Sequence, residues 1–129
     1  MEVINVDDLL GIPHTKNGRD VHTGLDCFGL AMEVEKRFGH TLIDLEDFKD
    51  ENKVVQDFEQ DYKKLVNLQE IKKPENPSDL ILFKDIKGIS THIGVYLGDD
   101  LFIHSPNSFV KIDKLSRYNH IIGRVYKWL

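Results

Sequence analysis

The spacing of apolar residues changes character along this 129-residue chain. In the first half, apolar positions recur at helical intervals, and the clearest set shares one helix face. That set is Cys27, Leu30, Ala31, Val34 and Phe38. A second amphipathic segment has the same period, and its apolar members are Val54, Val55, Phe58, Tyr62, Leu65 and Val66. The pattern therefore predicts two amphipathic helices in this half.

Both ends of the first helix carry recognisable signals. Asp26 suits the N-cap, because its carboxylate can accept hydrogen bonds from the free N–H groups of the first turn. Gly39 suits the stop, where a residue in the left-handed conformation ends a helix. We therefore predict a helix over about residues 26–38. A short helix within Met1–Leu10 and a polar loop over 14–24 are expected before it.

Short β-type runs replace the helical spacing from Leu80 onward, and turn residues separate them. The runs are Leu80–Phe83, His92–Leu97, Leu101–His104, Phe109–Ile112 and Ile121–Tyr126. Helices followed by antiparallel strands predict an α+β fold, with N-terminal helices packed on a C-terminal antiparallel sheet of about five strands. The chain length fits a single domain over residues 1–129.

Charge and composition narrow the classes of function. The net charge is −5, and the stretch between Asp44 and Asp61 holds eight acids and two lysines. We interpret that stretch as a solvated helix face, and it argues against nucleic-acid binding, which needs a basic surface. No run has the apolar length of a membrane span, and the first ten residues lack the features of a signal peptide. The single cysteine excludes an internal disulfide.

The candidate chemistry centres on Cys27, which falls in the first turn of the predicted helix. There the helix dipole and the unpaired amides favour a thiolate over a thiol. Two histidines, His92 and His104, lie on consecutive predicted strands joined by Gly98–Asp100. A three-residue loop places Gly94 opposite His104, so that the two imidazoles are diagonal neighbours on one sheet face. A two-residue loop would place them on opposite faces. The small Gly94 between them is expected to leave room for another group.

A cysteine and a histidine form the minimum set for thiol acyl transfer. In this interpretation His92 takes the thiol proton, His104 orients His92, and the helix N-terminus stabilises an oxyanion. A cysteine on an amphipathic helix is also common as a small core residue, and strand histidines are often structural. A zinc site of Cys27, His92 and His104 is a further alternative, although no close-spaced ligand pair accompanies it. The other histidines, His14, His22, His40 and His120, are interpreted from the residues alone as mostly structural or exposed.

Four motifs in order resemble the NlpC/P60 family of papain-like cysteine peptidases. They are Gly24–Leu30 (GLDCFGL) for the nucleophile helix, Asn76–Phe83 (NPSDLILF) for the strand before the base, Thr91–Leu97 (THIGVYL) for the base, and Leu101–Ser105 (LFIHS) for the third polar residue. The upstream Gly11–His14 and Asn17–Asp20, and the closing Ile121–Tyr126, resemble phage-tail-associated members. The chain departs from the pattern at three positions. His14 stands where Tyr is usual, Phe28 where Ser follows the cysteine, and Ser78 where Gly precedes the aspartate.

The resemblance implies hydrolysis of an amide in bacterial peptidoglycan stem peptides, between γ-D-glutamyl and a diamino acid, without a metal or cofactor. It assigns the nucleophile to Cys27, the base to His92 and the orienting group to His104, and it places Asp26 and His14 in substrate binding. The expected partners are the cell wall and phage tail proteins, with no nucleic acid and no membrane insertion. The expected location is a virion tail, or the host cytoplasm before assembly. A non-enzymatic tail module and another thiol acyl-transfer enzyme, of amidase or transglutaminase type, are the alternatives.

Overall fold

Two α-helices precede most of the sheet, as the sequence pattern predicts. The computed structural model describes residues 4–44, 54–61 and 67–129. In it α1 spans Cys27–Arg37 and α2 spans Val54–Asp61. Gly39 follows α1 with φ +91°, which confirms the predicted stop. The N-terminal helix is a single 3₁₀ turn, Asp7–Leu9. The predicted helical positions Tyr62, Leu65 and Val66 lie outside the described residues.

The strands form one antiparallel sheet and one small hairpin. The hairpin, β1 (Arg19–Asp20) with β2 (Gly24–Leu25), begins in the segment predicted as a loop over 14–24 and ends one residue beyond it. The six strands of the sheet stand in the order β3-β8-β4-β5-β6-β7. They are β3 (Leu68–Ile71), β4 (Leu80–Lys84), β5 (Ser90–Gly98), β6 (Leu101–His104), β7 (Lys111–Lys114) and β8 (Ile122–Trp128). This confirms the α+β class.

Two of the strands differ from the sequence prediction. Strand β3 was not predicted, because it is short and polar in its middle, and it pairs with β8 at the sheet edge. Strand β7 begins at Lys111 rather than Phe109. Phe109 instead forms an isolated bridge with Pro13, which brings the N-terminal segment beside this end of the sheet.

Buried apolar residues form two clusters, one on each face of the sheet. The larger cluster packs α1 and α2 against Ile93, Val95 and Ile103. The smaller cluster includes Phe83 and Phe102 and is covered by the 3₁₀ helix Leu115–Ile121. Both sheet faces are therefore covered, one by α1 and α2 and the other by the 3₁₀ helix. None of the helices among the described residues is long and apolar enough to cross a membrane.

Candidate active site

The first turn of α1 is organised by Asp26, which is fully buried. Its Oδ1 accepts a hydrogen bond from the Gly29 amide at 2.7 Å, which confirms the predicted N-cap. The same oxygen accepts from the Arg19 guanidinium at 2.7 Å. Arg19 also pairs with Asp44, at 3.2 Å between Nε and Oδ1. The cap carboxylate thus belongs to an ion-pair network with Arg19 and Asp44, and Cys27 follows it directly.

A close approach of backbones fixes this turn against the β1–β2 hairpin. A methyl group at Gly29 would collide with the carbonyl oxygen of Gly18, and one at Gly18 would collide with Gly24. The Leu25 carbonyl accepts a hydrogen bond from Ser105 Oγ at 2.8 Å, just beyond β6. Since Ser105 follows His104, the backbone before Cys27 is tied to the strand that carries the second histidine.

The register between β5 and β6 places both histidines on one sheet face, as predicted, but by a different turn. Val95 pairs with Ile103 and Tyr96 with Phe102, so Gly94 lies opposite His104. The turn itself contains only Asp99 and Asp100, both with positive φ, so the predicted three-residue loop is wrong. The register shifts between Tyr96 and Gly98, which makes a bulge at Leu97. This extra residue restores the alternation that a two-residue turn would have reversed.

Gly94 does not leave the opening that the sequence interpretation expected. A Cβ at this position would lie 2.9 Å from Cδ2 of the Phe102 ring. The ring of Phe102 also lies beside His104, with their centroids 4.4 Å apart. The missing side chain therefore makes room for an aromatic ring of the protein, which packs against the imidazole.

The two histidines belong to a longer hydrogen-bonded line that ends at a carboxylate. His92 Nε2 lies 2.8 Å from His104 Nδ1. His104 Nε2 lies 2.7 Å from Asp113 Oδ2. Tyr118 donates its hydroxyl proton to the same oxygen at 3.0 Å. Asp113 and Tyr118 were not among the predicted site residues.

The sequence did contain a signal for Asp113. The predicted strand ended at Ile112, one residue before it. Continuing the period-2 alternation from Lys111 places Asp113 on the same face, and the observed register sets Asp113 opposite Phe102 and Lys111 opposite His104. Asp113 is therefore a diagonal neighbour of His104, within reach of its ring.

Burial is the main reason that both imidazoles are neutral at pH 7. Burial, with repulsion from His104 and His14, lowers the pKa of His92 to about 3. Burial also lowers the pKa of His104, against the opposing effect of Asp113. The pKa of Asp113 is below its ordinary value, because hydrogen bonds from His104 and Tyr118 outweigh the effect of burial. The line thus holds two neutral rings and one anionic carboxylate.

Cys27 and His92 line one cleft of about 170 Å³, together with His14, Asp26, Thr91, Ser105 and Asn107. His14 Nδ1 lies 3.2 Å from the Ser105 carbonyl oxygen and 3.3 Å from its hydroxyl. His104 stands behind His92 and borders a neighbouring cavity of about 410 Å³. The structure therefore brings together all five predicted site residues, four in the cleft and His104 behind it.

The departures at Phe28 and Ser78 both have structural explanations. Phe28 is fully buried and packs against Phe58, with ring centroids 6.1 Å apart, so it belongs to the core. Ser78 has φ +82°, a conformation that glycine adopts at no steric cost. A glycine would therefore fit the backbone at this position without strain.

The zinc alternative finds no support in this geometry. The nitrogens His92 Nε2 and His104 Nδ1 are engaged with each other, and His104 Nε2 with Asp113. Across residues 4–44, 54–61 and 67–129, no group of three or more His, Cys, Asp or Glu side chains could hold a metal ion.

A cysteine at a helix N-terminus, beside histidines from an antiparallel sheet, can be compared with known proteins. The NlpC/P60 family model matches residues 12–120. The chain belongs to the NlpC/P60 family. No curated protein sequence matches it.

Solved NlpC/P60 structures share the fold. The chain matches a family protein from Bacillus cereus ATCC 10987 with a TM-score of 0.68 and 25% identity, covering 94% of this chain and 37% of that one. A lipoprotein-like family member from Staphylococcus aureus Mu50 matches with a TM-score of 0.68 and 23% identity, covering 95% and 38%. The NlpC/P60 domain of the peptidoglycan hydrolase SagA matches with a TM-score of 0.59 and 19% identity, covering 92% and 89%. The chain thus spans less than two-fifths of the first two proteins.

The comparisons establish the NlpC/P60 fold and family of this chain. The family includes peptidoglycan hydrolases, SagA among them. The sequence resemblance to the family is therefore confirmed, whereas its phage-tail refinement and the roles of individual residues stay predictions.

Proposed function

We propose that this protein is a cysteine endopeptidase that hydrolyses stem peptides of bacterial peptidoglycan, between γ-D-glutamyl and a diamino acid. The observation that carries the proposal is the line His92–His104–Asp113, which starts in the cleft that Cys27 also lines. Thiol acyl transfer needs a nucleophile, a neutral base and a group that orients the base. Cys27, His92 and His104 supply these three roles.

The reaction proceeds in two stages on these groups. The Cys27 thiol gives its proton to Nδ1 of His92, the ring nitrogen not engaged with His104, and Sγ bonds to the carbonyl carbon. Amides of the α1 N-terminus stabilise the oxyanion. The C–N bond then breaks, and His92 returns the proton to the leaving amine. Water, deprotonated by His92, attacks the thioester and releases the γ-D-glutamyl carboxylate and the thiol.

Two acceptor groups in the cleft favour a substrate with a free amine. Asp26 is fully buried, and its Oδ2 accepts no hydrogen bond from the described residues. His14 Nδ1 lies 3.2 Å from a carbonyl oxygen, which can only accept, so Nδ1 is the donor, and in the tautomer protonated on Nδ1 the other nitrogen, Nε2, is an acceptor. A carboxylate and an imidazole acceptor on one cleft wall suit an ammonium group. This supports both residues as the binding site for the amino end of a trimmed stem peptide.

The cavity beside the cleft supports the same orientation of the substrate. It is lined in part by His92, His104, Phe83 and Tyr118, and it shares Thr91 and Asn107 with the cleft. With the amino end of the substrate at Asp26, the departing diamino acid would extend past His92 toward this larger space. The assignment to a phage or prophage tail, acting at the cell wall, rests on the sequence resemblance of Gly11–His14, Asn17–Asp20 and Ile121–Tyr126.

Purified muropeptides provide the test. The full chain is incubated with muropeptides of several diamino-acid types, and the products are identified by mass spectrometry. We expect release of a dipeptide ending in D-glutamate, and no release by Cys27→Ala. Absence of cleavage with every wall type would overturn the proposal and leave the non-enzymatic tail module as the better explanation.

Thiol reactivity gives a second, substrate-free test. Iodoacetamide should label Cys27 faster than a model thiol at neutral pH, because the helix N-terminus stabilises the thiolate. His92→Ala should slow the labelling. Equal rates for Cys27 and the model thiol would contradict the role of Cys27 as an activated nucleophile.

A further inference from the structure

We infer that Asp113 is a positioning residue that fixes the tautomers of both site histidines and so presents His92 Nδ1 as a proton acceptor. The inference rests on the proposed function for its catalytic meaning, while the tautomers themselves are properties of the resting protein. This carboxylate lies on strand β7, which follows the last of the four sequence motifs that resemble the family. The family match assigns no role to it.

The contact between His92 and His104 is ambiguous by itself. The two nitrogens are 2.8 Å apart, and either ring can donate to the other. If His104 Nδ1 carried the proton, it would donate the hydrogen bond and His92 Nε2 would accept it. A neutral His92 would then carry its own proton on Nδ1, where it could not take one from a thiol. Only the arrangement in which His92 Nε2 donates to His104 leaves His92 Nδ1 able to take a proton from a thiol.

The carboxylate removes this ambiguity. An ionised carboxylate only accepts, so His104 Nε2, 2.7 Å from Asp113 Oδ2, must carry a proton. A neutral His104 then has its lone pair on Nδ1 and accepts from His92 Nε2. A neutral His92 is left with its lone pair on Nδ1. One carboxylate thus determines the protonated nitrogen of two successive rings.

The surroundings hold Asp113 in this role. Tyr118 donates to the same Oδ2 at 3.0 Å, which fixes the orientation of the carboxylate. Lys111 Nζ lies 3.8 Å from it and favours the ionised form. The Tyr118 and Phe102 rings both pack edge-on or tilted against His104, with centroids 5.8 and 4.4 Å away. These contacts restrict rotation of the His104 ring, so its two nitrogens keep their separate partners.

Long-range ¹H–¹⁵N correlation spectra of the ¹⁵N-histidine-labelled full chain at neutral pH test the inference directly. In the unaltered protein we expect His92 and His104 both to be protonated on Nε2. Asp113→Leu, which removes the acceptor, should move both rings toward the Nδ1-protonated form. Asp113→Asn, whose amide oxygen still accepts, should retain the original tautomers.

Asp100→Asn is the matched control for loss of one negative charge. The Asp100 carboxylate accepts hydrogen bonds from the backbone amide and the hydroxyl of Ser116, at 3.0 and 2.7 Å. It makes no described contact with either histidine. This variant should leave both tautomers unchanged. Circular dichroism melting of every variant establishes that the fold is present. Should Asp113→Leu fold and keep both rings protonated on Nε2, or should the unaltered protein show an Nδ1-protonated ring, the inference is wrong.

Activity separates this inference from the proposed function. On a cleaved muropeptide, Asp113→Leu should lower kcat by about 10- to 100-fold with little change in KM, the range seen when the carboxylate that orients a metal-ligating histidine is removed. Asp113→Asn should recover much of the rate. Tautomers that respond as expected in a protein that cleaves nothing would refute the peptidase and keep the positioning role. Cleavage of muropeptides by a protein whose tautomers do not change in Asp113→Leu would support the peptidase and refute the positioning role of Asp113.

Discussion

Two carboxylates organise the two halves of the site, and they differ in how far along the chain their partners lie. Asp26 caps α1 through the Gly29 amide, three residues away, and is fully buried beside the partly buried Arg19. Asp113 reaches His104 across a strand pair, nine residues away, and its side chain is 20% exposed. The first caps the helix turn that carries Cys27, the proposed nucleophile, and the second accepts a hydrogen bond from the imidazole behind His92, the proposed base. The local half of the site is readable from sequence, and the non-local half depends on strand register.

The largest expected effect comes from removing one reacting group from each half. Cys27→Ala and His92→Ala should each lower hydrolysis of muropeptides by about 10⁴-fold or more, and the double variant should be little worse than either, because the two groups act as a unit. Mass spectrometry of timed digests measures the rates. Effects that multiply in the double variant would mean that the cysteine and the histidine act independently.

The capping half could be predicted in detail because its interactions are local. The helix stripe, the N-cap and the stop at Gly39 follow from residues within a few positions of each other. The histidine pair was also placed on one face, since the β5–β6 register proved correct. The turn was wrong, because a bulge at Leu97 compensates a two-residue turn, and no residue type in that stretch distinguishes the two solutions. Asp113 was missed because it lies on an edge strand whose ends depend on pairing with β6.

Stability should distinguish the two carboxylates next. Asp26→Ala removes a helix cap and takes from the partly buried Arg19 its 2.7 Å ion-pair partner, so we expect a loss of about 3 kcal/mol in the free energy of unfolding. Asp113→Ala, at a partly exposed edge, should cost only about 1 kcal/mol. Urea denaturation measures both.

Asp44→Ala serves as the control for the ion network, because it leaves the helix cap intact. Its effect should be smaller than that of Asp26→Ala. Equal losses for the Asp26 and Asp113 variants would contradict the distinction between a structural carboxylate and a positioning one.

Acid–base linkage should also differ between the helix and the sheet. Burial raises the pKa of Glu35 on α1 to about 7, against opposing interactions with His40 and Trp128. The folded state then binds more protons than the unfolded state between pH 4.5 and 7, so this group lowers stability as pH rises through that window. For His92, with its pKa lowered to about 3, the unfolded state binds more protons below pH 6.5, so stability falls as pH falls.

Single substitutions should separate these two opposing pH dependences of the free energy of unfolding. In the unaltered protein, Glu35 lowers this free energy by up to about 3 kcal/mol as the pH rises from 4.5 to 7. Glu35→Gln should remove that decrease, so that stability rises more steeply with pH than in the unaltered protein. His92→Gln should have the opposite effect below pH 6.5. Urea midpoints measured from pH 4.5 to 8 report both slopes. A Glu35→Gln protein with an unchanged slope would show that this buried carboxyl titrates at its ordinary pH.

The smallest expected effect tests His14, which is proposed to bind the amino end of the substrate together with Asp26. His14→Phe removes an imidazole that lines the cleft beside Asp26, and it should raise KM for a muropeptide with a free amino end by about fivefold, with kcat nearly unchanged. The physical reason is the loss of one uniform binding interaction with the ammonium group.

An otherwise identical muropeptide whose amine is acetylated provides the internal control, because it carries no cation for His14 to accept from. The variant and the unaltered protein should then show the same KM. If the fivefold difference persists with the acetylated peptide, His14 contributes shape rather than recognition of the amine. Recognition of the amine would then fall to the Asp26 carboxylate, the group that also caps the helix that carries Cys27.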